Sequence, residues 1–240
     1  MRPPKVSLFL CRLRFVDHKQ NQKVNPAKAS KADHIIPQVR TVCHRKLSKY
    51  GCAWVYTRCL VSLSQKIDYT DQISLRAWME PYRQPVLVNV NMLLRQHGTV
   101  AAMGKIENCV FSLERQRPQR LSNIEFPEEI PEEIPNSIPD FIRPEKTAEG
   151  MTEKYNRTVR CSDLDKSNHM TNLRYIDMFQ DAYDKAFWNQ FDARRMEICF
   201  LSQSREGETL SVRSREEENA VCMAAVHEDE HVAAVCLFSK

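Results

Sequence analysis

The chain of 240 residues is 42% hydrophobic, 8% aromatic and 28% charged, a balance that lets it bury a core as one large domain or two small ones. Only 5 glycines leave no Gly-rich phosphate loop, which takes kinases, P-loop NTPases and dinucleotide enzymes out of the front rank. The net charge of +4 hides an asymmetry: residues 1–123 hold 21 Lys and Arg against 7 Asp and Glu, a balance of +14, whereas residues 124–240 hold 14 against 24, a balance of −10.

In chain order, the first half is dominated by strand-like runs at residues 6–15, 53–64, 73–78, 86–94 and 99–111. Several alternate apolar with polar side chains, as Leu8-Phe9-Leu10-Cys11-Arg12-Leu13-Arg14-Phe15 does, which suits a sheet with one covered face. Asn25-Pro26 offers an N-cap and a first helical position, but Pro37 interrupts the helix that they would open. A short helix and an irregular segment to about Tyr50 are predicted there.

The clearest boundary is Phe126-Pro127-Glu128-Glu129-Ile130-Pro131-Glu132-Glu133-Ile134-Pro135, whose proline spacing continues loosely to Pro139 and Pro144. Proline at this density excludes a helix interior and a central strand, so residues 124–150 read as an extended connector between domains at 1–123 and 151–240. Its isoleucines and Phe141 predict that it lies along the protein surface.

After the connector the pattern restarts with a strand at 152–160. A helix is predicted from Asn172 to about Trp188, marked by Leu173, Ile176, Phe179, Ala182, Tyr183, Ala186 and Phe187 at three- and four-residue steps. Strands at 195–202, 208–215, 220–227 and 231–238 complete the half. The first half repeats this order in degraded form.

Between strand and helix runs Arg160-Cys161-Ser162-Asp163-Leu164-Asp165-Lys166-Ser167-Asn168-His169-Met170-Thr171-Asn172. Asp165 and His169 flank a helix N-terminus, where the amides of Met170, Thr171 and Asn172 are candidate donors to a carbonyl oxygen that develops negative charge. Taken alone, Asp is a common turn former and His a helix-terminus residue that satisfies backbone groups. Cys161, Asp165 and His169 do not have the spacing of a zinc module, and neither metal nor cofactor is expected.

This stretch resembles the Asp-Leu-Asp-x-Asn-x-His-x-Asn-Asn segment of the acyl-acyl carrier protein thioesterases, enzymes with two hotdog domains in one chain. Ala53-Trp54-Val55-Tyr56-Thr57-Arg58, followed by Ser74-Leu75-Arg76-Ala77-Trp78, is similar to the family's Trp-Val-x-x-Arg strand and the Trp-ending strand after it. The resemblance covers about residues 40–240. It implies an α+β fold of two tandem hotdog domains, each an antiparallel sheet wrapped around a long helix, with acyl chains running between helix and sheet. The implied reaction is hydrolysis of fatty acyl-acyl carrier protein to free fatty acid and carrier thiol, within fatty acid biosynthesis and without a cofactor.

By the resemblance, Asp165 is nucleophile or general base and His169 its hydrogen-bonding partner and proton donor. Two positions depart from the family. Gln203 stands where a Glu is usual, and can position water or substrate but cannot accept a proton at neutral pH. Ser167 stands where an Asn is usual, with Asn168 one place later, so either Ser167 donates to the site or Asn168 takes over through a shifted turn. These departures motivate the alternative of a non-catalytic acyl-binding or regulatory double hotdog.

In the first half, Asp17, His18 and Asn21 occupy the equivalent place but are flanked by Lys19 and Lys23 and read as a solvated turn. The first hotdog is therefore expected to supply pocket and docking surface only. Acyl carrier protein is strongly acidic and matches the basic half, whereas no nucleic-acid motif accompanies the charge. The 9 cysteines are scattered and never spaced Cys-x-x-Cys, as buried thiols in a reducing compartment are. No run reaches the roughly 18 apolar residues of a membrane helix, so a cytoplasmic protein is expected, monomer or homodimer.

Overall fold

Long runs of alternating side chains between Cys52 and Ser112 pair with one another as strands, and the same happens after Met151. The computed structural model describes residues 47, 49–65, 67, 73–80, 86–120, 122, 139–165 and 167–240. These form two compact units that divide between Asp140 and Phe141. The expected strand at 6–15, the helix from Asn25, the turn at Asp17, His18 and Asn21, and most of the Pro/Glu repeat lie outside the described residues.

The first unit is an antiparallel sheet of β1 (Cys52–Leu63), β2 (Ile73–Met79), β3 (Leu87–Gln96) and β4 (Thr99–Ser112) in the order β2-β3-β4-β1, with the short β5 (Arg117–Pro118) paired to β4. His97 and Gly98, with φ of 50° and 81°, make the tight turn between β3 and β4. One face is apolar, with Cys59, Val61, Met92 and Ala77 around Gly104. A Cβ on Gly104 would come 2.9 Å from Met92 Cε and 3.2 Å from the Leu60 carbonyl, so the strands close tightly there. On the other face the register aligns Trp78, Asn91 and Lys105 in one row. Lys105 Nζ lies 3.2 Å from Glu80 and 3.4 Å from Asp140. The amides of Asn89 and Asn91 also donate to Glu80, at 2.9 and 2.8 Å.

The second unit contains β6 (Thr152–Thr158), a 3-10 turn (Cys161–Asp163), α1 (Asn172–Asp181), α2 (Lys185–Phe191), β7 (Arg195–Phe200), β8 (Thr209–Glu216), β9 (Ala220–His227) and β10 (Val232–Ser239). Its sheet runs β7-β10-β9-β8-β6, antiparallel throughout. The single helix predicted from Asn172 to Trp188 is two helices. Asp184 breaks it, because its carboxylate accepts the Phe187 N–H at 2.8 Å and caps α2.

Period-two alternation gives this sheet two distinct faces. One receives the helices: α1 buries Tyr175, Ile176, Met178 and Phe179. Tyr175 meets Phe200 edge-on with ring centres 5.9 Å apart, and Trp188 meets Phe238 at 5.0 Å. The Tyr155 hydroxyl donates to the Met178 carbonyl at 2.7 Å, and burial first, then the nearby Asp181 charge, pushes its pKa up to about 12. On the other face Cys199, Ala224, Val226 and Val235 pack with Ala148 and Met151 of the entering segment.

That same face carries Glu197, which is fully buried and accepts the N–H groups of Ile142 and Arg143 at 2.6 and 2.7 Å. The end of the connector is thereby fastened to the unit it enters. Glu197→Gln replaces one acceptor oxygen with an N–H that faces another donor. We expect a loss of about 2 kcal/mol, read as a lower denaturant midpoint with unchanged slope. An unchanged midpoint would show that the two bonds do not hold the segment.

Candidate active site

The turn between β6 and α1 is built around a buried carboxylate that the local sequence pattern does not single out. Asp163 is 2% exposed. Its Oδ1 sits 2.6 Å from Arg157 Nη2 and 3.3 Å from Arg174 Nε, and its Oδ2 accepts the Arg160 N–H at 3.0 Å. Arg157 belongs to β6 and Arg174 to α1, so one side chain ties strand, 3-10 turn and helix together. Charge-assisted bonds of this kind repay the desolvation of the acid only because every partner is present.

From this anchor the chain doubles back as a miniature hairpin, described at residues 164, 165 and 167–170. Leu164 and Met170 form an antiparallel bridge, and the Asp165 N–H donates to the His169 carbonyl at 2.8 Å. Asn168 sits near its tip with φ of 61°, in the left-handed region that Asn tolerates, and donates its N–H to the Asp165 carbonyl at 3.1 Å. Asp165 and His169 are thus brought opposite each other.

The Asp165 carboxylate is exposed, and its two oxygens differ. Oδ1 accepts the Ser167 N–H at 2.8 Å, the Ser167 hydroxyl at 2.6 Å and, more weakly, the His169 N–H at 3.3 Å. Oδ2 has no hydrogen-bond partner among the described residues. Of the two routes open for the Ser167 position, the structure takes the direct one: Ser167 donates to Asp165, while Asn168 shapes the backbone. The bond from His169 to Asp165 runs through its main-chain N–H, and the imidazole, half-buried, has no partner among the described residues.

The helix start corrects one expectation. Met170 gives its N–H to the Ser204 carbonyl at 2.8 Å, and Thr171 gives its own to the Asp163 carbonyl at 2.9 Å. Both amides are spent on closing the turn, so neither is a donor to substrate. The unspent amides of the first helical turn are those of Asn172 and Leu173, which find no acceptor among the described residues, and the N-cap residue Thr171 makes no side-chain capping bond.

The bond from Met170 to Ser204 also brings residues 203 and 204 alongside the turn. Gln203 is exposed and makes no side-chain hydrogen bond among the described residues, whereas Ser204 is fully buried. No three His, Cys, Asp or Glu side chains gather as metal ligands among the described residues.

The two aspartates of Asp163-Leu164-Asp165 therefore have opposite tasks, which substitution separates. Asp163→Asn sets an amide against the Arg160 N–H and weakens both arginine contacts, so it should cost about 2–3 kcal/mol of stability and lower turnover with it. Asp165→Asn should leave the unfolding free energy within about 0.5 kcal/mol of wild type, because the residue is exposed. Chemical denaturation of both variants checks this, and equal stability losses would contradict it.

With this geometry in hand, comparison with known proteins places the chain. Residues 145–236 match the acyl-ACP thioesterase C-terminal domain. An acyl-ACP thioesterase from Bacteroides thetaiotaomicron is similar in structure, with a TM-score of 0.65 at 18% identity over 82% of this chain and 79% of that one. The 12:0-ACP thioesterase from Umbellularia californica gives a TM-score of 0.62 at 11% identity, covering 90% of this chain and 92% of its own. These likenesses establish the α+β hotdog fold. No curated protein sequence matches the chain. The family match is confined to residues 145–236, which resemble the C-terminal domain of the acyl-ACP thioesterases.

Proposed function

We propose that the chain carries out the reaction of the acyl-ACP thioesterases that it resembles, hydrolysis of a fatty acyl thioester on acyl carrier protein to free fatty acid and carrier thiol, with Asp165 as the reacting carboxylate. The observation that supports this reading most is the asymmetry within one side chain. Three donors hold Oδ1 in place, and Oδ2 is left for a water or for the thioester carbonyl. Acting as base, Oδ2 takes a proton from the water that attacks the carbonyl carbon. Acting as nucleophile, it forms an acyl-enzyme anhydride that water then cleaves.

In either route the carbonyl oxygen becomes negative and is met by the Asn172 and Leu173 amides at the positive end of α1. The tetrahedral species collapses with loss of the C–S bond. A thiolate is a good leaving group because its acid is already weakly held near neutrality, so His169 has only to protonate it afterwards. Gln203 positions the water or the acyl group through its amide.

The basic N-terminal half supplies the docking surface for the acidic carrier, and the cytoplasm is the compartment proposed. No helix among the described residues is long and apolar enough to cross a membrane. Charge on the rim of an interface mainly accelerates encounter and fades as salt shortens the screening length.

Two measurements test the reading. Asp165→Asn should lower kcat on a carrier-bound acyl thioester by at least about a hundredfold and His169→Ala by at least about tenfold, both with native circular dichroism. Losses below tenfold for both would move the chemistry elsewhere. Raising salt from about 0.05 to 0.5 M should cut kcat/KM for the carrier substrate by about tenfold or more, and for the same acyl group on a small thiol by less than about twofold. Equal salt sensitivity would remove the docking surface and leave the reaction standing.

A further inference from the structure

Behind the turn lies a second polar cluster that the proposed reaction does not use. Ser202 and Ser204 flank Gln203, and both hydroxyls reach one imidazole: Ser202 Oγ lies 3.3 Å and Ser204 Oγ 3.4 Å from His227 Nε2. On the far side of the ring, Glu208 Oε2 stands 3.6 Å from Nδ1. Ser204 Oγ is also 2.7 Å from the Tyr175 hydroxyl, and its carbonyl takes the Met170 N–H.

The proton inventory gives these contacts a direction. In the tautomer with the ring proton on Nδ1, 3.6 Å from Glu208 Oε2, Nε2 is an acceptor. The Ser204 hydroxyl then donates to Nε2, and Tyr175 donates to Ser204. Ser202 sends its own proton to the Val232 carbonyl at 3.4 Å. Burial above all pushes the Tyr175 phenol up from its ordinary value, so it keeps its proton and remains a donor. In that tautomer each hydroxyl of the chain from Tyr175 through Ser204 to His227 has an acceptor.

A buried polar chain is costly unless complete, and an apolar residue at the end of β9 would pack there without that risk. This one converges on the three residues that carry Gln203. The same segment is pinned to β10, where the N–H groups of Leu201 and Ser202 share the Ala233 carbonyl at 2.8 and 3.1 Å, and to the turn through Met170. Gln203, itself exposed, extends from a backbone fixed on every side.

We propose that His227 is a positioning residue for thioester hydrolysis: it holds the Ser204 hydroxyl, and with it the adjoining backbone, so that the Gln203 amide is held against the Asp165 and His169 turn. This rests on the reaction proposed above. This staple acts on the ordering of the transition state and not on docking, so its removal lowers kcat and spares KM. His227→Gln keeps an acceptor for the Ser204 hydroxyl and restores most of the function.

The test is a double-mutant cycle on the full chain with a carrier-bound fatty acyl thioester. Gln203→Ala should lower kcat about tenfold, and His227→Ala should do the same with KM within about twofold. In the Gln203→Ala background, His227→Ala should cost less than about a further twofold, and His227→Gln should regain most of the loss in the wild-type background. Equal losses from His227→Ala in both backgrounds, a change confined to KM, or a harmless Gln203→Ala would each overturn the proposal. Should His227→Ala lose its native circular dichroism, Tyr175→Phe removes one hydroxyl of the same chain and is read by the same criteria. Asp165→Asn serves as the control: if it is inactive while the His227 cycle is additive, the staple alone fails, and if it is fully active, the reaction assignment fails and the staple with it.

Discussion

The arrangement of the site depends on one buried acid. Asp163 collects a guanidinium from β6, another from α1 and a main-chain N–H from the 3-10 turn, and its carbonyl takes the first amide offered by the helix N-cap. Because a buried carboxylate short of partners is expensive, strand end, turn and helix start are held in one relation. Everything that bears on chemistry hangs from that relation. The miniature hairpin springs from Leu164, directly after the anchor, and returns at Met170, directly before the residue that closes on Asp163.

The amides at the helix start show how structure and reaction compete for the same groups. A helix offers unpaired N–H donors in its first turn and just before it, and folding here consumes the two that lie nearest the turn. The amides without an acceptor among the described residues lie one step further into α1, at Asn172 and Leu173. A similar economy governs Asp165. One oxygen is committed to Ser167 and the His169 main chain, which fixes the carboxylate, and the other has no hydrogen-bond partner among the described residues. The replacement of a usual Asn by Ser167 is therefore tolerated in the geometry, since a hydroxyl and a main-chain N–H from the same residue do the holding.

Much of the fold was legible in the residues because its strands alternate cleanly. The edges of β1 through β4 and of β7 through β10 fall within a few residues of the runs read from sequence. The long helix was misjudged for a local reason: Tyr183, Ala186 and Phe187 continue the apolar spacing of α1, yet Asp184 caps a new helix among them, and spacing alone does not reveal a side-chain cap. The meeting of Asp165, Ser167 and His169 in one turn was legible because the three lie close in sequence. It was not legible where partners are remote. Asp163 looks like a companion of Asp165 until Arg157 and Arg174 are placed on it, and nothing in the local pattern ties His227 to residues 202 and 204 across 25 and 23 positions.

The central claim is that this chain turns acyl-ACP over, with the Asp165 and His169 turn as the reacting centre, and that it does not merely hold an acyl group. The most direct measurement is the amount of free fatty acid released when purified protein meets an excess of acyl carrier protein bearing a labelled acyl chain. The expected result is release of fatty acid and free carrier thiol in many-fold molar excess over the protein. Binding of the labelled carrier at one equivalent, with the thioester left intact, would contradict the account.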